Sequence, residues 1–312
     1  PLRPVLWTVA ILVLTHLVIT RGVRGGIERA SKLLMPTLFV LLLVVVVSSC
    51  LLPGASKGID FLFRPDFSGV DRGVFLGALG QSFYSLSIGM GCLCTFASYF
   101  NRQTNLLKSA VQISVIDTVI AVLAGLMIFP AAFSVGVKPD SGPSLIFITL
   151  PSVFQQAFAT MPLVGWGVAL LFYSLLSLAA LTSLISLHEV STAFLCEEFR
   201  ISRRRAATLV TVLCSVIGVF CSLSLGAANG LQICGKPLFD VFDFVTGQVF
   251  LPVGGFLTSI LLGWFVPRRV VKDEFTNWGT LRSTFFGVYL FCVRFVCPVS
   301  IVLIFLHQFG VI

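Results

Sequence analysis

With 57% of its 312 residues hydrophobic and only 11% charged, the chain has too little polar surface to clothe a water-soluble domain, where charged residues make up about a quarter. Its mean hydropathy of +1.02 calls for hydrocarbon as the solvent. The formal charge of +8 does not mark a nucleic-acid binder, because Lys and Arg stand in short clusters between apolar runs and form no continuous basic face.

The chain opens with Pro1 and enters an apolar run at once, with no signal peptide, so a preceding part is expected. Eight stretches are long enough to cross about 30 Å of hydrocarbon: 4–20, 34–52, 75–100, 108–134, 163–197, 203–225, 238–266 and 284–309. They are expected to be helices, since unpaired backbone in lipid is costly and no two-residue alternation of a barrel is present. Loops after the odd-numbered spans hold fourteen Lys and Arg, including Arg21, Arg24, Lys32, Arg203, Arg204, Arg205, Arg268, Arg269 and Lys272. The opposite side holds six: Arg3, Lys57, Arg64, Arg72, Lys138 and Lys236. The excess places the first group in the cytoplasm. In the outer loop 53–74, PGASKG and DFSG read as turns. Residues 136–162 read as a re-entrant or surface helical hairpin, not a ninth span. The nine cysteines form no CxxC pair and read as small buried hydrophobes, and three scattered histidines (His16, His188, His307) offer no metal site.

Within the third span, Ser85-Leu86-Ser87-Ile88-Gly89-Met90-Gly91 places two serines and two glycines at mid-depth. Gly weakens a helix interior and Ser competes for its backbone bonds, so the pattern favours a local break that frees main-chain oxygens. Close helix packing through small residues is the competing reading. In the fifth span, Ala179, Ala180, Thr182 and Ser183 bring hydroxyls and a carbonyl into one turn, as a hard cation would require, although hydroxyls bonding back to the preceding turn would look the same. Ionisable residues inside spans are expensive and point to function. They are Asp117, Glu189, Asp243 and Arg294, with Asp240 explicable as a solvated helix start and Arg294 by snorkelling or pairing with a carboxylate.

These runs, in this order, resemble the neurotransmitter:sodium symporter family and its bacterial amino-acid transporters: RGVRGGIERASKLLMPTLF, GQSFYSLSIGMGCLCTFASY, GPSLIFITLPSVFQQ, LAALTSLISL, EEFRISRRRA, DFVTG and VRFVCPV. The resemblance implies an all-α polytopic membrane protein with the leucine-transporter inverted repeat, carrying eight transmembrane helices, the third of them broken. Residues 1–52 would be the last two helices of the first repeat, 53–74 an extracellular loop, 75–266 the second repeat with its outer hairpin 136–162, and 267–312 a peripheral C-terminal helix. The first three spans of the fold would be absent. It further implies a multi-pass protein of the cell (inner) membrane that imports an amino acid with sodium and has no organic cofactor. Tyr84, Ser85 and Ser87 would meet the substrate ammonium, and Tyr84, Met90, Leu184 and Leu187 its side chain. Ser85 and Asp117 would belong to one sodium site; Ala179, Thr182 and Ser183 to a second. Asp243, with Gln81, would belong to an outer gate.

Two departures from the family pattern carry expectations. Asp117 stands where Asn is usual and Ala121 where chloride-dependent members place Ser, so a fixed carboxylate would replace chloride as countercharge and transport would be chloride-independent. Met90 stands between the glycines where Phe is frequent, which suits large apolar or aromatic side chains. The alternative is a proton-coupled amino-acid permease of a related inverted-repeat fold. An intramembrane enzyme is not expected: the chain has no HExxH, no GxSxG and no paired catalytic acids on one helix.

Overall fold

Hydrocarbon offers no hydrogen-bond partners, so the main chain inside it must satisfy itself, and the apolar stretches of this sequence are accordingly helical. A computed structural model describes residues 2–64, 66–100, 104–136, 150–157, 159, 161–225, 232–233, 235–279 and 285–310. In order the helices are α1 (Leu2–Thr20), α2 (Arg29–Cys50), α3 (Ala55–Phe63), α4 (Arg72–Ser85), α5 (Cys92–Ser98), α6 (Leu106–Ser134), α7 (Leu150–Ala157), α8 (Pro162–Glu198) and α9 (Arg203–Ser224). There follow α10 (Leu238–Asp243), α11 (Leu251–Ile260), α12 (Arg268–Phe275), α13 (Phe286–Phe291) and α14 (Cys297–Gln308). Wider π-helical turns occupy Val23–Glu28, Phe244–Phe250, Leu261–Phe265 and Cys292–Val296, and β1 (Gln232–Ile233) pairs antiparallel with β2 (Lys236–Pro237).

Among the described residues seven helical stretches are long and apolar enough to cross a membrane, against eight apolar stretches in the sequence. The difference is the stretch 75–100, which forms α4 and α5 of 14 and 7 residues, each too short to qualify alone. Two expectations need correction. The basic segment before the second span is helical from Val23, because a helix continues beyond the hydrocarbon while an apolar count stops at its edge. PGASKG is not a simple turn: Gly54, at φ +83°, starts the nine-residue helix α3. Of the outer hairpin, 137–149, 158 and 160 lie outside the described residues; α7, within it, is too short to span and buries Val153 and Phe154.

The chain divides into two compact units. One comprises 21–68 and 115–184. Its core is built from Leu42, Val45 and Val46 of α2, Met127 and Ala131 of α6, Val153 and Phe154 of α7, and Phe172 of α8. Gly58 of α3 lies against the backbone of Phe129 and Pro130, where a Cβ would sit 2.5 Å from main-chain atoms. Pro130 cannot donate to the Leu126 carbonyl one turn back, and the Cys50 thiol approaches that oxygen instead, at 3.9 Å. The other unit comprises 1–20, 69–114 and 185–312 and carries α4, α5, α9 and everything after them. There α1 packs along α9, with Gly218 taking Thr8 at close range and Ala206 and Ala207 fully buried.

Candidate substrate and ion site

At the end of α4, Asp71 opens the helix by accepting from Val74 N–H at 2.8 Å, and the other end closes at mid-stretch. Ile88 N–H donates to Phe83 O at 3.1 Å and Ser87 N–H to Tyr84 O at 3.0 Å, the paired closure that normally puts Gly in the left-handed position. Here that position is Ser87, at φ +53°. Gly89 and Gly91 follow at φ +91° and +80°, and α5 restarts with Thr95 N–H donating to Gly91 O. Among the described residues no main-chain N–H bonds the carbonyls of Leu86 or Gly89.

The turn is seated on α11. A Cβ on Gly89 would collide with the Leu251 carbonyl, a Cβ on Gly254 would lie 2.7 Å from the Gly89 carbonyl, and one on Gly255 would run into the Phe83 ring. Sequence reading did not assign LPVGGF this role, because the close approach is set by a partner about 165 residues away in sequence. Beside the turn lies a mainly apolar cavity of about 480 Å³ that includes Ser82, Ser87, Gly89, Thr258 and Ser300 in its wall. Phe83, Leu251, Ile301 and Ile304 form the adjacent core, and Met90 packs against it.

A second, more polar cavity of about 340 Å³ brings together Gln81, Tyr84 and Asp243, and adds Gln248, His307 and Gln308. Tyr84 is 52% exposed, so its ring is available at that opening. His307 and Gln308 come from the last turn of α14; in the sequence His307 counted only as one of three scattered histidines, and Gln308 was not singled out. Asp240 lies in the first turn of α10 and is exposed, as a solvated helix start would be.

Ala179, Thr182, Ser183, Leu184 and Leu187 follow one another along α8 without interruption. Thr182 Oγ donates to the Ala179 carbonyl at 2.8 Å, so the two oxygens lie side by side on one face. Ser183 is exposed and Leu187 is 46% exposed. Asp117 is half-buried on α6; it and Ser85 both engage other groups of the chain. Asp117, Ala179, Thr182, Ser183 and Leu184 belong to one compact unit, Gln81, Tyr84, Ser85, Ser87, Met90, Leu187 and Asp243 to the other.

Two buried polar assemblies sit on the C-terminal half of α8. Glu189, wholly buried, accepts from Arg203 Nη2 at 2.5 Å and from the Tyr99 hydroxyl at 2.7 Å, while Arg203 Nε also donates to the Ile19 carbonyl at 3.0 Å. Glu189 is therefore a structural ion pair tying α8 to α5, α9 and α1. Next to it, Thr211 Oγ donates to Ala207 O and lies 2.8 Å from His188 Nε2 and 3.0 Å from His16 Nδ1. Among the described residues Arg294 forms no ion pair with a carboxylate: its Nε donates to the Gly263 carbonyl at 2.5 Å and its guanidinium lies 5.8 Å from the Trp264 ring.

Among the described residues no cluster of three or more His, Cys, Asp or Glu is arranged for a metal ion. A cation held here would depend on hydroxyl and main-chain oxygens with single carboxylates, the ligand set of a weakly held hard ion.

Comparison with known proteins agrees with this architecture. A family profile of the sodium:neurotransmitter symporter family matches residues 4–312. The chain is 34% identical over its whole length to YhdH of Bacillus subtilis, described as an uncharacterized sodium-dependent transporter, and spans 68% of that protein. It is 36% identical, over 99% of its length, to a sodium-dependent transporter of Haemophilus influenzae with the same description, and spans 66% of it. The crystal structure of MhsT in complex with L-phenylalanine superposes with a TM-score of 0.84 at 38% identity, covering 98% of this chain and 68% of MhsT. The chain thus spans about two thirds of the length of these relatives. A multi-pass, all-α membrane protein of the leucine-transporter fold and not an enzyme, it belongs to the sodium:neurotransmitter symporter family.

Proposed function

We propose that the protein is a sodium-coupled symporter that imports a large apolar or aromatic amino acid across the cell membrane by alternating access. The observation that carries the reading is the interruption at residues 86–91, which leaves main-chain oxygens of Leu86 and Gly89 outside the helical ladder in a segment surrounded by apolar spans. The last turn of α4 carries the negative end of its dipole, a favourable place for an ammonium group. Ser87 would add its hydroxyl, and Tyr84, Met90, Leu184 and Leu187 would surround the side chain. Family membership supports sodium as the coupled ion, and a relative of 38% identity solved with L-phenylalanine supports an aromatic substrate.

One sodium ion would be held with Ser85 and Asp117, the other with the Ala179 carbonyl and the hydroxyls of Thr182 and Ser183. The bond from Thr182 to Ala179 supports this second assignment only in placement: the oxygens already share a face, and an entering ion would take over the carbonyl. Asp117 would supply a permanent countercharge, which makes uptake independent of chloride. Asp243 and Gln81 would close the outer side over the cavity they share with Tyr84. In the same reading 75–266 form the second inverted repeat.

The test is uptake of radiolabelled L-phenylalanine into proteoliposomes containing the intact transporter. Uptake is expected to require an inward sodium gradient, to persist when chloride is replaced by gluconate, and to need a higher sodium concentration in Thr182→Val and Ser183→Ala. Uptake driven by a proton gradient in sodium-free buffer would favour the permease reading; collapse in gluconate would refute the role given to Asp117.

A further inference from the structure

Two residues separate α12 from the span that ends at Phe265, on the side that the Lys and Arg distribution places in the cytoplasm. Its rotation is fixed: Val271 and Phe275, one turn apart, pack into a cluster with Phe286, Tyr289 and Leu290. At 3.6 residues per turn, Arg268, Lys272 and Arg269 then fall within roughly 100° of arc on one flank, beside the buried stripe, and Glu274 falls on the other. The Arg268 guanidinium lies over the Phe286 ring, 5.8 Å from its centre. The flank is short of countercharge. Its sole ion pair among the described residues is Arg269 with Asp273, at 3.9 Å and with Arg269 93% exposed, a pair worth little in water.

Two tryptophans bracket this flank. Trp264, in the last turn before α12, is 56% exposed, and Trp278, just after it, is 60% exposed. Trp278 stands in a left-handed run, Asn277 at φ +48°, Trp278 at +56° and Gly279 at +85°, held by Trp278 N–H to Asp273 O at 2.7 Å and Gly279 N–H to Thr276 Oγ at 3.2 Å. A bulky residue is rarely found in that conformation. Deeper along the same helices, Arg294 is half-buried with Nε committed to Gly263 and its plane beside Trp264. Basic residues beside an amphipathic helix, with exposed indoles where a span leaves the bilayer, form the footprint of an anionic lipid surface.

We propose that the α12 flank of Arg268, Lys272 and Arg269 binds the phosphodiester headgroup of an anionic phospholipid in the cytoplasmic leaflet, with Trp264 and Trp278 seated at headgroup depth on either side. Arg268, oriented by the Phe286 ring, presents a planar fork suited to two phosphate oxygens, and Lys272 adds a point charge one turn on. The ligand is a lipid and not a free anion, because the neighbouring exposed groups are apolar rings at a membrane boundary. Bound lipid would clamp α12 against α13 and so hold the cytoplasmic ends of the last two spans together.

The experiment is native mass spectrometry of the intact transporter titrated with phosphatidylglycerol or phosphatidylcholine, alongside melting in nanodiscs of each lipid. Wild type is expected to retain phosphatidylglycerol selectively and to melt higher in it. Arg268→Gln/Lys272→Gln is expected to weaken phosphatidylglycerol binding about thirtyfold, from about 1 kcal/mol per basic residue. Its melting in phosphatidylcholine should be unchanged, and Arg204→Gln/Arg205→Gln, on the same side of the membrane, should bind as wild type does. If the first variant misfolds, Arg269→Gln/Lys272→Gln carries the same prediction at a comparable size. Equal retention by the α12 variants, an equal loss in the Arg204/Arg205 variant, or the same protection by millimolar inorganic phosphate would overturn the proposal.

Discussion

The interrupted segment between α4 and α5 and the continuous helix α8 present polar groups inside a membrane in opposite ways. At 86–91 the helix stops, main-chain oxygens leave the ladder, and the irregular turn is held by backbone contact with Gly254 and Gly255 of α11. Along α8 the ladder runs unbroken for 37 residues, and polarity is supplied by side chains: Thr182 and Ser183 just past its middle, His188, Glu189 and Thr192 nearer its C-terminal end. The first device depends on shape, since any Cβ in the wrong place destroys it. The second depends on pairing, since each buried charge needs its partner.

The largest expected effect tests pairing. Glu189→Ala leaves Arg203 half-buried without its carboxylate and should cost about 3–5 kcal/mol of stability, read as a lowered melting temperature in detergent. Glu189→Ala combined with Arg203→Met should recover much of that loss; no recovery would mean that the pair is not what α8 relies on. Shape is tested next. Gly89→Ala, at positive φ and against the Leu251 carbonyl, should cost about 2–4 kcal/mol, and Gly254→Ala about 1–3 kcal/mol. An Ala at either position that melts like wild type would show that the turn is not seated on α11.

Smaller effects sharpen the contrast. Ser87→Gly removes a side chain from a left-handed position and should raise stability by about 0.5–1 kcal/mol while weakening substrate binding, because the hydroxyl is lost. A variant both more stable and fully active would remove Ser87 from the substrate site. Thr182→Val keeps the branched shape and removes the hydroxyl, so it should cost about 1 kcal/mol of stability or less, yet shift the sodium concentration for half-maximal uptake at least about tenfold.

Much of the fold was legible in the sequence because hydrocarbon imposes a single rule: long apolar runs form helices. The ends of α1, α6, α8 and α9 fall within two residues of the apolar boundaries. The helical start at Val23 and α3 within PGASKGIDFLF were not legible, since both lie beyond the apolar runs. At the candidate site the Gly and Ser residues of 85–91 carried a local signal. The opposing Gly254–Gly255 pair, the Arg294 bond to Gly263 and the place of His307 beside Asp243 did not, because each is set by a distant segment. Glu189 was visible as a costly buried charge, but its partners Arg203 and Tyr99 appear only when three helices meet.

The central claim is that the turn at 86–91 receives an amino group. It is tested most directly by equilibrium binding of radiolabelled L-phenylalanine to the intact protein in sodium, with 3-phenylpropionate, which lacks the amine, as competitor. Saturable binding that vanishes when choline replaces sodium, and that 3-phenylpropionate fails to displace at a hundredfold excess or so, is the predicted result. Displacement by 3-phenylpropionate as effective as by unlabelled L-phenylalanine would contradict it.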